Sequence, residues 1–311
     1  CALPIFSAAS ELKPGSRKVC VAIGVFDGVH LGHQQVIRQT LADARQHEGM
    51  PVVITFDRHP NSVVAPERVP PMLYALPQKL RALESLGVAN TLLIHFDRAF
   101  SEQTGEQFIR GLARDFGRLA SVCVGSEFTF GRQRSGNVTL LKQLGAELHF
   151  TVHGLAAVAL DGVPVSSTRI REAVRTGDLD SASQMLGREY AIAGTVVRGE
   201  QLGRRLGFPT ANLDVTGLVL PPNGVYAVHV RLCGRELRGA LNLGLRPTLA
   251  RPQPHLQCEV HLLDFTGEIY GAELELSFVT KLRDERKFPD VEALKVQIAR
   301  DLTAARELFS A

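Results

Sequence analysis

The chain has 311 residues, 45% hydrophobic and 22% charged, with a formal net charge of +3. That length is more than one hydrophobic core usually fills, so two domains are expected, 1–186 and 187–311. So mild a charge, without blocks of like sign, argues against a nucleic-acid partner, and no apolar run is long enough to need a bilayer.

Elements follow in chain order. Val21-Ala-Ile is a short buried strand, and apolar residues at helical spacing (Val36, Ile37, Leu41, Ala44) predict a helix over 33–46. Strands are expected at 52–56 and 91–94, with a helix between them at 77–86 that carries Pro77 in its first turn. A long helix over 101–116 is expected to open on a Ser101 cap near Glu102. Further strands are placed at 120–124 and 147–152, then two short helices across 167–186. Strands alternating with helices predict a parallel sheet wound on both faces, with ligands beyond the carboxyl ends of its strands.

Past 190 the pattern turns to strands and turns, at 191–197, 224–232, 236–243, 257–263 and 273–279. A small antiparallel barrel is expected, closed off by a helix over 289–308 with Val291, Leu294, Ile298, Leu302 and Ala305 on one stripe. The fold class is therefore α/β followed by an antiparallel β-barrel with a terminal helix. Cys1, Cys20, Cys123, Cys233 and Cys258 are odd in number and form no Cys-x-x-Cys pair. Reduced thiols, and with no signal-peptide pattern a cytoplasmic setting, are the expectation.

Gly24-Val-Phe-Asp-Gly-Val-His-Leu-Gly-His33 stands between a predicted strand and a predicted helix. Free amides and the positive dipole end at a helix start bind phosphate, and Gly32 lets a ligand approach the backbone. His30 and His33 are three apart, so both can face one ligand and donate to charge growing on an α-phosphate. No Gly-x-x-x-x-Gly-Lys-Ser/Thr loop exists in the chain. Ser167, Thr168 and Arg171 read either as a phosphate grip or as a capped helix start with a solvated arginine. The loop 131–137 reads as a nucleotide cover or a plain turn, and Phe128 and Phe130 as the wall of a ligand site or core.

In the second half, Gly199-Glu-Gln-Leu-Gly203-Arg204-Arg-Leu-Gly207-Phe-Pro-Thr210-Ala-Asn212 is glycine-rich without being a Walker loop. Thr210 and Asn212 share a face of an extended segment, as hard oxygen ligands for Mg²⁺ beside ATP phosphates or as a polar strand face. Periodicity alone puts Glu259 and His261 of Cys258-Glu-Val-His on the wet face of a half-buried strand.

Taken together these segments resemble the bacterial FAD synthetases, the bifunctional riboflavin kinase/FMN adenylyltransferase family. The first motif is similar to that family's nucleotidyltransferase signature. Thr55-Phe-Asp-Arg-His-Pro60, Gly125-Ser-Glu-Phe-Thr-Phe-Gly131 and Ser166-Ser-Thr-Arg-Ile-Arg171 resemble three of its other segments, with Arg58 replacing a proline and Glu127 an aspartate. The run 203–212 resembles the riboflavin kinase signature, and Asn242-Leu-Gly-Leu-Arg-Pro-Thr248 and Leu282–Phe288 match further family segments.

The resemblance implies a kinase domain that makes FMN from riboflavin and ATP, and an N-terminal domain that joins FMN to AMP, giving FAD and pyrophosphate. It implies Glu259 as the catalytic carboxylate, His30 and His33 as catalytic, and Gly24, Phe26, Asp27, Gly32, Asn137, Ser167, Thr168 and Arg171 as nucleotide contacts. For the kinase it implies Gly203, Arg204, Gly207 and Arg283 at nucleotide or flavin, and Thr210 and Asn212 at Mg²⁺. Two other readings compete: a kinase with a decayed N-terminal half, and a non-catalytic flavin-binding protein.

Overall fold

A computed structural model describes residues 4–199, 201–246 and 255–310. Cys1 and the Pro247-Thr248 end of one motif lie outside the described residues. The chain divides into two compact units, one up to Met72 with Leu76–Arg169 and one of Leu73–Ala75 with Ile170 onward.

The first unit begins with β1 (Ile5–Phe6), β2 (Val19–Ile23), α1 (Leu31–Gln46) and β3 (Met50–Phe56), then α2 (Asn61–Val64), α3 (Leu76–Glu84) and β4 (Thr91–Ile94). It continues with α4 (Arg98–Ser101), α5 (Gly105–Phe116), β5 (Leu119–Gly125), β6 (Thr129–Phe130), β7 (Gly136–Asn137) and α6 (Val138–Leu148). Strands β8 (Thr151–Leu155), β9 (Ala159–Leu160) and β10 (Val163–Pro164) complete it. The main sheet is six-stranded and parallel, in the order β1-β4-β3-β2-β5-β8.

Every residue of β2 is buried, which is why its sequence is an unbroken apolar run. Val21 and Ile23 pack with Ile109, Leu112, Leu141 and Leu144 of α5 and α6. Ala22 packs on the other face with Val36 and Ile37 of α1 and Leu83 of α3. The expected double winding is thus present. Chain order reverses at β2, with β3 on one side and β5 on the other, so the loop 24–30 leaves the sheet at its topological switch point.

Two local expectations are corrected. The helix expected over 101–116 is two: Asp97 caps α4, and a Thr104–Gln107 capping box opens α5. The reciprocal bonds of that box satisfy two amides that a Ser101 start would leave open. The strand expected over 147–152 begins at Thr151, because α6 runs through Leu148 and ends on a left-handed His149, φ 62°.

The second unit opens with α7 (Ser167–Thr176), which straddles the division, and α8 (Leu179–Leu186). Strand β11 (Ala191–Val197), α9 (Leu202–Arg205), β12 (Ala211–Asp214), β13 (Gly224–Leu232), β14 (Arg235–Arg246), β15 (His255–Leu262), β16 (Glu273–Arg283) and α10 (Val291–Leu308) follow. The strands close an antiparallel barrel in the order β11-β12-β15-β14-β13-β16. The sixth strand, β12, stands where only an extended segment at 210–212 was expected. Its four residues, Ala-Asn-Leu-Asp, carry too little apolar pattern to announce a strand, and pairing to β11 and β15 makes it one. Leu302 and Ala305 of α10 are buried with Ala240 and Leu263 against the outer wall, while Val291, expected on the packed stripe, is exposed. Among the described residues no helix is long and apolar enough to cross a membrane.

Candidate active sites

The loop 24–30 is strained and buried at once. Phe26 (φ 51°), Gly28 (φ 79°) and Val29 (φ 42°) all take left-handed backbone, which is costly for an aromatic and a β-branched residue. The cost is met by burial: Phe26 is 1% exposed and Val29 is fully buried. Gly24 is needed there because an added Cβ would lie 2.9 Å from the Phe26 ring. The loop delivers His30 to the N-cap of α1, where its Nδ1 faces the His33 amide at 3.4 Å. The two imidazoles stack at 3.6 Å between centroids, and the Phe26 ring meets His33 edge-on. Gly32 makes room for this pair, since a Cβ there would stand 3.3 Å from the His30 ring. The expected histidine pair is therefore one preformed unit at the first turn of a helix, beyond the end of β2.

Ser167 joins this loop directly, its hydroxyl donating to the Asp27 carbonyl at 3.0 Å. Thr168 is exposed, and Arg171 is buried one turn further along α7. Asn137 caps α6 by accepting the Leu140 amide. Lys79 carries no signal in the sequence pattern. A lysine on a helix reads as solvated, yet this one is 3% exposed and donates to Val25 O, Thr55 Oγ1 and Phe56 O. Burial lowers its pKa to about 8 against the opposing pull of Asp27 and Asp57.

Beside the loop lies a cavity of about 880 Å³ whose walls include Phe56, Phe96, Phe100, Phe108, Phe128 and Phe130. Phe128 and Phe130 stack at 5.2 Å, so they face a cavity as well as packing against the core. Arg68, Arg98, Arg132 and Arg134 also line it. At its edge Asp57 accepts from the Phe96 amide, His95 and Arg58. Burial raises the pKa of that carboxyl, and these three donors outweigh it to leave a net lowering. Arg58, in the place of the family's proline, thus pairs with the neighbouring aspartate.

The second site is on the outer wall of the barrel, in a cavity of about 280 Å³ that α10 covers with Leu294, Ile298, Asp301 and Leu302. Register does the positioning: Glu259 on β15 pairs with Asn212 of β12 on one side and Asn242 of β14 on the other. Its neighbours Cys258 and Val260 are buried, so the expected alternation holds, and the outward face proves to be a cavity wall. His261 lines the same wall, and its Nδ1–H donates to the Pro209 carbonyl at 2.8 Å, tying β15 to the Pro-Thr segment. Burial lowers the pKa of this imidazole.

Gly203 is close to Phe208 O (2.4 Å from an added Cβ) and Thr210 Oγ1 (3.0 Å), so only glycine lets the short α9 turn back onto Thr210. Thr210 and Gly203 line the cavity, whereas the Asn212 amide rests against Gly199. Gly207 takes a left-handed φ of 91°, and Arg204 is exposed. Arg283 is fixed on the cavity wall by Asp301: Nε donates at 2.9 and 3.0 Å and Nη2 at 2.7 Å. Asp301 also accepts from Gln297 at 2.7 Å, and Arg286 donates to Gln297.

Sequence comparison matches the two parts of the chain to two families. Residues 12–169 match the family described as FAD synthetase, and residues 186–309 the family described as riboflavin kinase. The bifunctional riboflavin kinase/FMN adenylyltransferase of Escherichia coli K12 is 38% identical over 96% of both chains. Its namesake from Haemophilus influenzae is 39% identical, covering 93% of this chain and 94% of its own. A solved structure described as a macrolide-efflux protein from Streptococcus pneumoniae has a TM-score of 0.80 at 27% identity, covering 98% of this chain and 99% of its own.

Proposed function

The chain belongs to the bifunctional riboflavin kinase/FMN adenylyltransferases, and on that premise we propose how its residues divide the work. It phosphorylates riboflavin to FMN with ATP, then transfers an adenylyl group from ATP to FMN, giving FAD and pyrophosphate. What carries the assignment is that each family match falls on a separately built site with its own reactive groups.

In the kinase cavity, Glu259 takes the proton of the flavin 5′-hydroxyl as that oxygen attacks the γ-phosphorus and ADP leaves. Its place between Asn212 and Asn242 on a three-strand wall supports this, because strand register holds a carboxylate more rigidly than a loop does. His261 steadies the Pro-Thr segment, and Gly203 and Gly207 shape the turn that carries Arg204 past the nucleotide. Arg283 fixes its end of the cavity through Asp301. The Thr210 hydroxyl and the Asn212 amide oxygen are hard donors one strand step apart, the chemistry that fits Mg²⁺ brought by ATP. When bound, that ion would draw charge from the phosphates.

In the first unit, an FMN phosphate oxygen attacks the α-phosphorus of ATP and pyrophosphate departs. The stacked His30 and His33 donate to the charge that grows there, and the first turn of α1 adds its amides. Gly24, Phe26, Asp27 and Gly32 shape the loop, Ser167 fastens it, and Thr168 and Asn137 complete the nucleotide contacts. The phenylalanine-walled cavity takes the isoalloxazine, its arginines suiting a phosphorylated flavin over riboflavin. A cytoplasmic setting is supported by the ATP and flavin substrates and by buried, unpaired Cys20, Cys123 and Cys258.

The test is to incubate the chain with riboflavin and MgATP and resolve the flavins by chromatography. FAD is expected; accumulation of FMN alone, or no turnover, overturns the assignment.

A further inference from the structure

We propose that Lys79 is a positioning residue for adenylyl transfer, fastening the loop that carries the histidine pair to the end of β3 beside the flavin cavity. This rests on the reading of the first unit given above. Lys79 lies on α3, and all three of its hydrogens have protein acceptors: Val25 O at 3.3 Å, Thr55 Oγ1 at 3.1 Å and Phe56 O at 2.7 Å. It therefore has no hydrogen left for a substrate, which separates it from a catalytic lysine.

Its acceptors come from the two segments that must cooperate. Val25 immediately precedes the left-handed Phe26, and Phe56 immediately precedes Asp57 at the cavity edge. Thr55 Oγ1 also donates to Val25 O at 3.1 Å, so one carbonyl is held from both the β3 end and α3. At the far side of the strained turn, Gln34 Nε2 donates to Val29 O at 3.0 Å. The turn is thus pinned at both ends, as left-handed non-glycine backbone requires if it is to persist. Burying an ammonium is costly, and a chain that needed only packing here would use leucine or methionine. The cost makes sense when a single group has to satisfy three oxygens from a loop and a strand end.

The charged groups facing Lys79 are Asp27 on the histidine loop and Asp57 after β3, the latter shared with His95 and Arg58. Burial against those two carboxylates leaves the ammonium with a pKa of about 8. Above that value a neutral amine has two hydrogens for three acceptors, and the tie between the histidine loop and the end of β3 loosens. Adenylyl transfer should then fall as pH rises through about 8.

The experiment supplies FMN and ATP to the full chain and measures FAD formation, with riboflavin phosphorylation as an internal control. Lys79→Met removes the donors at nearly constant length. Expected is a loss of about 10- to 100-fold in kcat for FAD formation, the scale of a misplacement near 1 Å, with a smaller change in KM and unchanged kinase turnover. Lys79→Arg keeps the charge throughout, so its activity should lack the alkaline fall of the wild type. A Lys79→Met chain that forms FAD at the wild-type rate overturns the proposal. If that variant does not fold, an alkaline fall retained in Lys79→Arg overturns it instead. Failure of the wild type itself to convert FMN to FAD would sink the assignment of the first unit, a result distinct from either.

Discussion

On the proposed reading, the histidine loop and the barrel wall serve the same problem, phosphorus transfer from ATP, with opposite construction. In the first unit the histidine pair sits on a turn between β2 and α1, where the backbone is left-handed at three positions and a buried lysine holds it. In the second, Glu259 sits in mid-strand, fixed by ordinary antiparallel register between two asparagines. A turn at a switch point can aim amides, a helix dipole and two rings at one phosphate, but it must be over-determined to hold that shape. A strand cannot converge so many groups, but it places one carboxylate with no strain. The first site should therefore be sensitive to residues that never touch substrate, and the second mainly to those that do.

The largest effect should come from the strand. Glu259→Gln keeps the register and removes only the proposed base, so riboflavin phosphorylation should fall about 100- to 10,000-fold while FMN adenylylation is spared. Steady-state rates with riboflavin and with FMN measure the two separately, and unchanged kinase turnover would take Glu259 out of the mechanism. Next is His33→Ala, which removes one ring of the stacked pair. FAD formation from FMN should drop about 100- to 1,000-fold, the range for losing one transition-state donor, and FMN should accumulate from riboflavin. Normal FAD output from that variant would break the assignment of the loop.

A third prediction probes the barrel's support. Asp301 holds Arg283 through three contacts and is 9% exposed at its side chain. Asp301→Ala leaves that guanidinium short of its partner and should cost the barrel about 1–3 kcal/mol, read as a lowered Tm. Kinase turnover should fall about 10-fold with adenylylation unchanged, less than a displaced loop residue costs the first unit. Equal loss of both activities would show that Asp301 serves general stability alone.

How much of this the sequence disclosed follows the physics of each element. β2 and α1 were legible because five buried residues make an unbroken apolar run and the helix repeats at its own period. The histidines were legible through their spacing at that junction. The Thr104 box was missed because Ser101 also offers a cap, and only the reciprocal bonds decide between them. Val291 was placed on the packed stripe of α10 by periodicity, which cannot tell that the wall of the barrel ends before it. Glu259 read as solvated because alternation gives the face and not what covers it; α10, arriving from the end of the chain, makes that face a cavity. Lys79 was invisible for the same reason, since its acceptors are more than twenty residues away along the chain.

The smallest effect sharpens the contrast most. Gly32→Ala adds one Cβ in the first turn of α1, at 3.3 Å from Cε1 and 3.4 Å from Nδ1 of His30. Those distances require the ring to shift by a few tenths of an ångström, while alanine gains up to about 1 kcal/mol of helix propensity over glycine. Stability should therefore hold or rise slightly, and FAD formation should fall only a few-fold. The parameter that moves decides what the glycine does. If it makes room for the stacked imidazoles, kcat falls and KM for ATP stays, because the donor is misaligned only when charge develops. If it admits the phosphates to the backbone, KM for ATP rises and kcat stays. The contact with His30 favours the first outcome, and a pure KM effect would return Gly32 to the simpler role of a phosphate-approach glycine.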